Sequence, residues 1–228
     1  MRILFVRHGH PNYELDCLTE LGHLQAQAAA QRLMGEGIDM ILASSSGRAR
    51  ETAEHTAKAL SLPVRTFDFM REIWWGSVDD EPLEDNGQPW VIADRMAAAN
   101  ESLMREDWAA SPRFARNRLV AHTQMIAQEL DKLLLELGYA RDGLYYRAVG
   151  ETDRTVAIFS HGGSSSAMIS HMLNLPFPFV CGTMGPDFTA VTVLTMDNDR
   201  GRTFTPKIEL LGDARHIRGL DAEKFYGR

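Results

Sequence analysis

Residues 2–9 read Arg-Ile-Leu-Phe-Val-Arg-His-Gly. Ile3 to Val6 is an apolar run of the length a buried strand takes. It ends abruptly at two chemically active residues, Arg7 and His8, with Gly9 to turn the chain. The same arrangement returns late in the sequence, where the buried run Thr155 to Phe159 is closed by Ser160-His161-Gly162-Gly163. Two strands that each end in a histidine and a glycine predict a shared site at one edge of a sheet.

Working outward from residues 2–9, Thr19 is an N-cap for a helix over about 20–34, ended by Gly35 and Gly37. Met40 to Ala43 is a second buried strand, followed by three serines, Gly47 and a helix through Leu60. Pro63 breaks the chain before a strand at 64–67. Alternation of strand and helix predicts an α/β fold, a mostly parallel sheet flanked by helices in three layers. Ligands in such sheets bind in the crevice at the carboxyl ends of the strands. That edge would gather Arg7, His8, an arginine from 48–50 and His161. Guanidinium forks match phosphate oxygens in pairs, and backbone N–H groups at the helix start after Gly162-Gly163 add donors. Nearby arginines also lower the pKa of a histidine and keep it nucleophilic.

Residues 74–152 break the pattern and predict an insertion that covers the active-site end of a single α/β domain spanning 1–228. Trp74, Trp75, Trp90 and Trp108 all fall in it, as does a long helix over Phe114–Leu137 with an apolar stripe at Leu119, Ile126, Leu130, Leu133, Leu134 and Leu137. His122 falls on that stripe and is expected in the core, and the tryptophans are expected to pack beneath a lid. Pro176 and Pro178 stop the helix after Gly163, and 190–195 with 204–210 predicts a hairpin. Its turn, Asp197 to Gly201, is not a calcium loop: the glycine comes one place early and Ile208 stands where a glutamate is needed.

The chain has 228 residues and a formal net charge of −7. An acidic balance excludes a general nucleic-acid binder while leaving room for a local anion pocket. Cys17 and Cys181 are too few for a disulfide scaffold and are expected as reduced thiols. No apolar run approaches a membrane span, and Ile3 to Val6, cut off by Arg7 and His8, is too short for a signal h-region, so the expectation is a cytoplasmic protein with no membrane partner.

Arg7-His8-Gly9 after the first strand resembles the RHG motif of the histidine phosphatase superfamily, the phosphoglycerate-mutase-like fold, in its phosphatase branch. Leu18-Thr19-Glu20-Leu21-Gly22 with Gln25-Ala26, Ser44 through Ala53, Arg71-Glu72-Ile73 with Gly76, and Phe159 through Gly163 resemble further segments of that family in the same order. One tripeptide is weak evidence, and four more ordered segments make it specific. The resemblance implies His8 as the nucleophile that becomes phosphohistidine. It implies Arg7, Arg48, His161 and the Gly162 turn as phosphate ligands, with His161 also polarising the phosphoryl group. It implies Glu72 as general acid and then base, a small phosphorylated substrate, and no metal or cofactor.

The chain also departs from the family. Trp-Glu-Gly is absent after the Arg-Glu-Ile segment, where Ser77-Val78-Asp79-Asp80-Glu81 follows, so Asp79 and Asp80 stand as alternative acids. The family's loop asparagine lies six places past the nucleophile, whereas Asn12 lies four past it. Arg50 is expected as a solvated helix residue, and a His8–His10 metal pair lacks a supporting carboxylate or cysteine cluster.

Rival functions are a phosphoglycerate-mutase-type phosphotransferase and a non-catalytic phosphate-binding module. A serine hydrolase fails because no Gly-x-Ser-x-Gly elbow occurs around Ser44–Gly47. Between Trp74 and Asp107 the basic residues are Arg95 and Arg105, set among many carboxylates, which suits a phosphatase better than a bisphosphate mutase.

Overall fold

In the computed structural model, which describes residues 1–151 and 153–220, the opening apolar run is strand β1 (Arg2–Arg7). Its side chains divide by alternation, Ile3 and Phe5 into one core and Leu4 and Val6 into another. Both faces of the strand are therefore covered. A two-residue strand β2 (Pro11–Asn12) pairs with β3 (Cys17–Leu18), and α1 (Glu20–Leu33) follows. Thr19 caps α1 by accepting the Gly22 N–H at 3.1 Å. Next come β4 (Met40–Ser44), α2 (Gly47–Leu60) and β5 (Val64–Phe67).

Residues beyond 74 contain α3 (Pro89–Ala98), α4 (Leu119–Glu136) and a β-hairpin of β6 (Tyr139–Asp142) and β7 (Tyr145–Ala148). Residue 152, the predicted far boundary of the insertion, lies outside the described residues. α4 begins with its apolar stripe at Leu119, five residues after the predicted start at Phe114. Buried Asn117 accepts the Gly76 and Leu119 N–H groups and donates to the Gly87 carbonyl, so residues before 119 are tied to loops. The sheet pattern resumes with β8 (Thr155–Ser160), α5 (Gly162–Leu173), α6 (Phe177–Thr183), β9 (Val191–Thr195), β10 (Thr203–Phe204) and β11 (Lys207–Asp213). Pro178 sits in the first turn of α6, where a missing N–H costs nothing, so the prolines that stop α5 also start a new helix.

The main sheet runs β11-β9-β1-β8-β4-β5. β1, β8, β4 and β5 are parallel, β9 runs antiparallel to β1, and β11 runs antiparallel to β9. The predicted hairpin thus forms from β9 and β11, while Thr203-Phe204 peels away to pair with β7. Leu33, Ala53 and Ala57 of α1 and α2 cover one face. Leu130, Leu133, Met168, Met172 and Val180 of α4, α5 and α6 cover the other, giving three layers. In the β1–β8 register Arg7 lies opposite Ser160, which sets His8 and His161 side by side past the strand ends. Trp75, Trp90 and Trp108 pack against the core as expected, whereas Trp74 is exposed and stacks on His122 with ring centroids 4.8 Å apart. Among the described residues no helix is long and apolar enough to cross a membrane.

Candidate active site

His8 is buried at the end of β1, where its backbone N–H donates to the Ser160 carbonyl at 2.9 Å. Its Nδ1 lies 2.8 Å from the Gly9 carbonyl oxygen. A carbonyl accepts and never donates, so Nδ1 carries the hydrogen and Nε2 carries the lone pair. Arg48 Nε approaches that Nε2 at 3.4 Å. Burial is the largest cause that takes the His8 pKa down, to about 3. Arg7 and Arg48 push the same way, against the Gly9 hydrogen bond. The ring is neutral at pH 7 with its lone-pair nitrogen turned toward an arginine.

His161 stands beside it, with ring centroids 5.1 Å apart. Its Nε2 lies 2.9 Å from Ser44 Oγ, which accepts the Ser46 N–H. The Ser44 hydroxyl has no other acceptor among the described residues, so it donates to Nε2 and leaves Nδ1 as the N–H. Nδ1 is buried without a partner, as is Arg7 Nε. Buried donors without partners are costly and rare. Here one belongs to Arg7, which lines the cavity described below, and the other to His161 beside His8. Arg7 is held by the Pro186 carbonyl at 2.7 Å and by the Phe188 ring, 4.2 Å beneath its guanidinium. Arg48 is held by Asp16, whose other oxygen accepts the Gly47 N–H at 2.8 Å. Burial opposes ionisation of Asp16, but Gly47 and Arg48 outweigh it and hold its pKa low.

Glu72 meets this group from the loop after β5. Its Oε1 accepts the Ile73 N–H at 2.9 Å and the Ser164 N–H at 3.1 Å. Both bonds fall on one oxygen, so a proton on this carboxyl belongs on Oε2. Burial raises the Glu72 pKa, against those two hydrogen bonds and the charges of Arg7 and Arg48. Gly163 permits the approach: a Cβ there would lie 2.3 Å from Ile73 Cδ1 and 2.7 Å from Glu72 Oε1. Arg7, Arg48, Glu72 and Gly162 line one cavity of about 590 Å³ together with Tyr13, Trp75, Gln88 and Trp90.

Arg7, His8, Arg48, Glu72, His161 and Gly162 thus converge at the strand ends. Other candidates lie elsewhere. Asp79 pairs with Arg116, which holds its pKa far below the carboxylate range, and Asp80 pairs with Arg118 at 3.3 Å. Both carboxylates are exposed. Asn12 uses its side-chain oxygen to accept the Glu14 and Leu15 N–H groups, shaping the loop. Arg50 is exposed on α2. His122 is buried as predicted, but its Nδ1 accepts the Trp74 N–H at 2.8 Å, so it fixes the loop that carries Glu72. Asp16 and the Ser44 contact were not singled out in the sequence. Asp16 is one acid among several in a loop, at a positive φ of 49°, and nothing local marks its partner.

A basic pocket holding a neutral histidine and a raised carboxyl, at the carboxyl edge of a parallel sheet, defines an enzyme of phosphate esters. The family model described as the histidine phosphatase superfamily (branch 1) matches residues 3–135. Over 186 residues the chain is 30% identical to glucosyl-3-phosphoglycerate phosphatase of Mycobacterium tuberculosis, covering 77% of this chain and 76% of that one. A probable phosphoglycerate mutase of Yersinia enterocolitica is 32% identical over 93 residues, 37% of this chain and 43% of the relative. A solved mycobacterial glucosyl-3-phosphoglycerate phosphatase superposes with a TM-score of 0.60 at 25% identity, over 92% of this chain and 98% of that one. The phosphoserine phosphatase of Entamoeba histolytica shares the fold, with a TM-score of 0.61 at 19% identity, over 95% and 98% of the two chains. The chain belongs to the histidine phosphatase superfamily, and within it the protein is a histidine phosphatase.

Proposed function

We propose that the protein hydrolyses small phosphomonoesters through a phosphohistidine on His8. Nε2 attacks phosphorus while the bond to the alcohol oxygen breaks, and Glu72 Oε2 gives that oxygen its proton. Glu72, now a carboxylate, takes a proton from water. The water oxygen attacks phosphorus, the P–N bond breaks, and inorganic phosphate leaves. Arg7, Arg48, His161 Nδ1–H and the Gly162 N–H hold the phosphoryl oxygens, which suits a loose transition state governed by position and charge. The two arginines supply the positive charge, so the scheme calls on no metal or cofactor. One α/β domain carries this chemistry, and the insertion at about 74–152 caps it. The reading includes no nucleic-acid or membrane partner, and we place the reaction in the cytoplasm.

The observation that carries the proposal is the fixed tautomer of His8, with Nδ1 tied to Gly9 and the Nε2 lone pair left for phosphorus. Quenching the wild type with radiolabelled substrate should trap acid-labile, base-stable phosphate, and His8→Ala should trap none and lose turnover. Label on a serine, or full turnover in the variant, would reject the proposal. Turnover should also survive exhaustive chelation.

A further inference from the structure

We infer that the preferred substrates are phosphate esters of uncharged, ring-bearing alcohols, and that a second anionic group on the alcohol is selected against. This rests on the phosphatase chemistry proposed above. The inner part of the cavity is committed: Arg7 and Arg48 face the phosphoryl group, and Glu72 serves the leaving oxygen. The rest of the lining, where the alcohol must lie, is Tyr13, Trp75, Gln88 and Trp90, with Gly185 and Pro186.

Trp75 and Trp90 meet edge to face, with centroids 5.4 Å apart at 89°, so one indole turns a face where the other turns an edge. Both are partly exposed, and Tyr13 is 66% exposed with the Arg48 guanidinium 5.5 Å from its ring centroid. Partly exposed aromatic rings around one amide are the lining of a site for a neutral, ring-bearing group. The Gln88 side-chain amide has no partner among the described residues and is free to bond a hydroxyl.

The charges nearby reinforce the point. Arg95, Arg105, Arg113, Arg116 and Arg118 are each paired with a carboxylate of the same insertion. Among the described residues, Arg7 and Arg48 are the cations in the cavity lining. A carboxylate on the alcohol would therefore enter beside the phosphate with no cation left to meet it, and like charges in a partly dry site repel strongly.

The test compares kcat/KM for benzyl phosphate, 4-carboxybenzyl phosphate, ethyl phosphate and glucose 6-phosphate. All have alkyl-type leaving oxygens, so chemistry is matched and the cavity is what varies. Benzyl phosphate should exceed its carboxylated twin by about 10-fold or more, the worth of roughly 1.4 kcal/mol. Benzyl phosphate or glucose 6-phosphate should exceed ethyl phosphate by a similar factor of about 10, and their order tells an aromatic from a carbohydrate ring. Gln88→Arg should narrow or invert the ratio for the carboxylated twin, and the wild-type ratios decide the matter if that variant fails to fold. Equal or better turnover of the carboxylated ester, or of ethyl phosphate, overturns the inference while leaving the phosphatase proposal standing. Turnover of none of the four, with no phosphohistidine trapped, overturns both.

Discussion

Asp16 holds Arg48 from the side opposite His8. One Asp16 oxygen takes the Arg48 guanidinium, and the other takes the Gly47 N–H at 2.8 Å at the start of α2. A Cβ on Gly47 would lie 2.0 Å from the Asp16 carbonyl oxygen, so glycine is what lets the loop come this close. Arg48 Nε then points at His8.

Asp16→Ala should therefore weaken the phosphate site without touching substrate directly. We expect kcat/KM to fall by about 10–100-fold, the range typical when a partner orienting a site ligand is lost. KM and phosphate inhibition should carry much of the change. Made in an Arg48→Ala background, Asp16→Ala should add little, because the residue it orients is gone. Additive losses in that cycle would show that Asp16 acts by another route.

Glu72→Gln keeps the hydrogen bonds to one oxygen but removes the titrating proton. It should slow phosphoenzyme formation from alkyl phosphates by about 10²–10⁴-fold, the usual worth of a positioned acid. p-Nitrophenyl phosphate, whose leaving group needs no proton, should lose much less in that step and show a burst followed by slow turnover. Equal losses in phosphoenzyme formation reject the assignment. A differential effect from Asp79→Asn or Asp80→Asn would move the role to those surface acids.

The pH profile follows from the same two groups. His8 stays neutral above about pH 3, whereas Glu72 must be protonated to act as acid and loses that proton as pH rises through its elevated pKa. Wild-type kcat/KM on an alkyl ester should therefore fall on the alkaline side, with a limb that Glu72→Gln lacks. Comparing the two enzymes on one ester cancels the substrate's own ionisation. An identical alkaline limb in both would assign it to the substrate.

Gly163→Ala tests the packing behind Glu72. The new methyl meets Ile73 and Glu72 at once, so both stability and turnover should fall, with a destabilisation of about 1–3 kcal/mol, as overpacking usually gives. Adding Ile73→Val should recover part of the melting temperature and little of the activity, because the Glu72 clash remains. Full recovery of activity would mean that Glu72 placement is not critical.

Stability should fall as the pH is lowered. The unfolded chain protonates each histidine near pH 6.5. His8 protonates in the folded chain only near pH 3, and His161 well below its ordinary value. The unfolded state binds more protons throughout that window, so stability gained above pH 6.5 is lost as pH drops through it. Melting temperatures between pH 7 and pH 4 should show the decline, and His8→Asn should flatten it. An equal slope in that variant would assign the decline to other groups.

Much of this protein is legible from residues in order along the chain. The alternation of Ile3 and Phe5 against Leu4 and Val6, the Thr19 cap and the strand-ending Arg7-His8 and Ser160-His161 are local or periodic signals, and they determine the sheet, its layers and the edge where chemistry collects. Tertiary structure decided the rest. Asp16 reaches Arg48, Ser44 reaches His161 and Ser164 reaches Glu72 across 32, 117 and 92 positions. Such contacts have no period, because strand register and a loop passing through positive φ at Asp16 create them. In the sequence Glu72 is the acid the resemblance implies, and Asp79 is an alternative that the departure after Gly76 leaves open. Burial against the start of α5 raises the pKa of one, and an exposed pairing with Arg116 lowers that of the other, which is why Glu72 is the proton donor we propose.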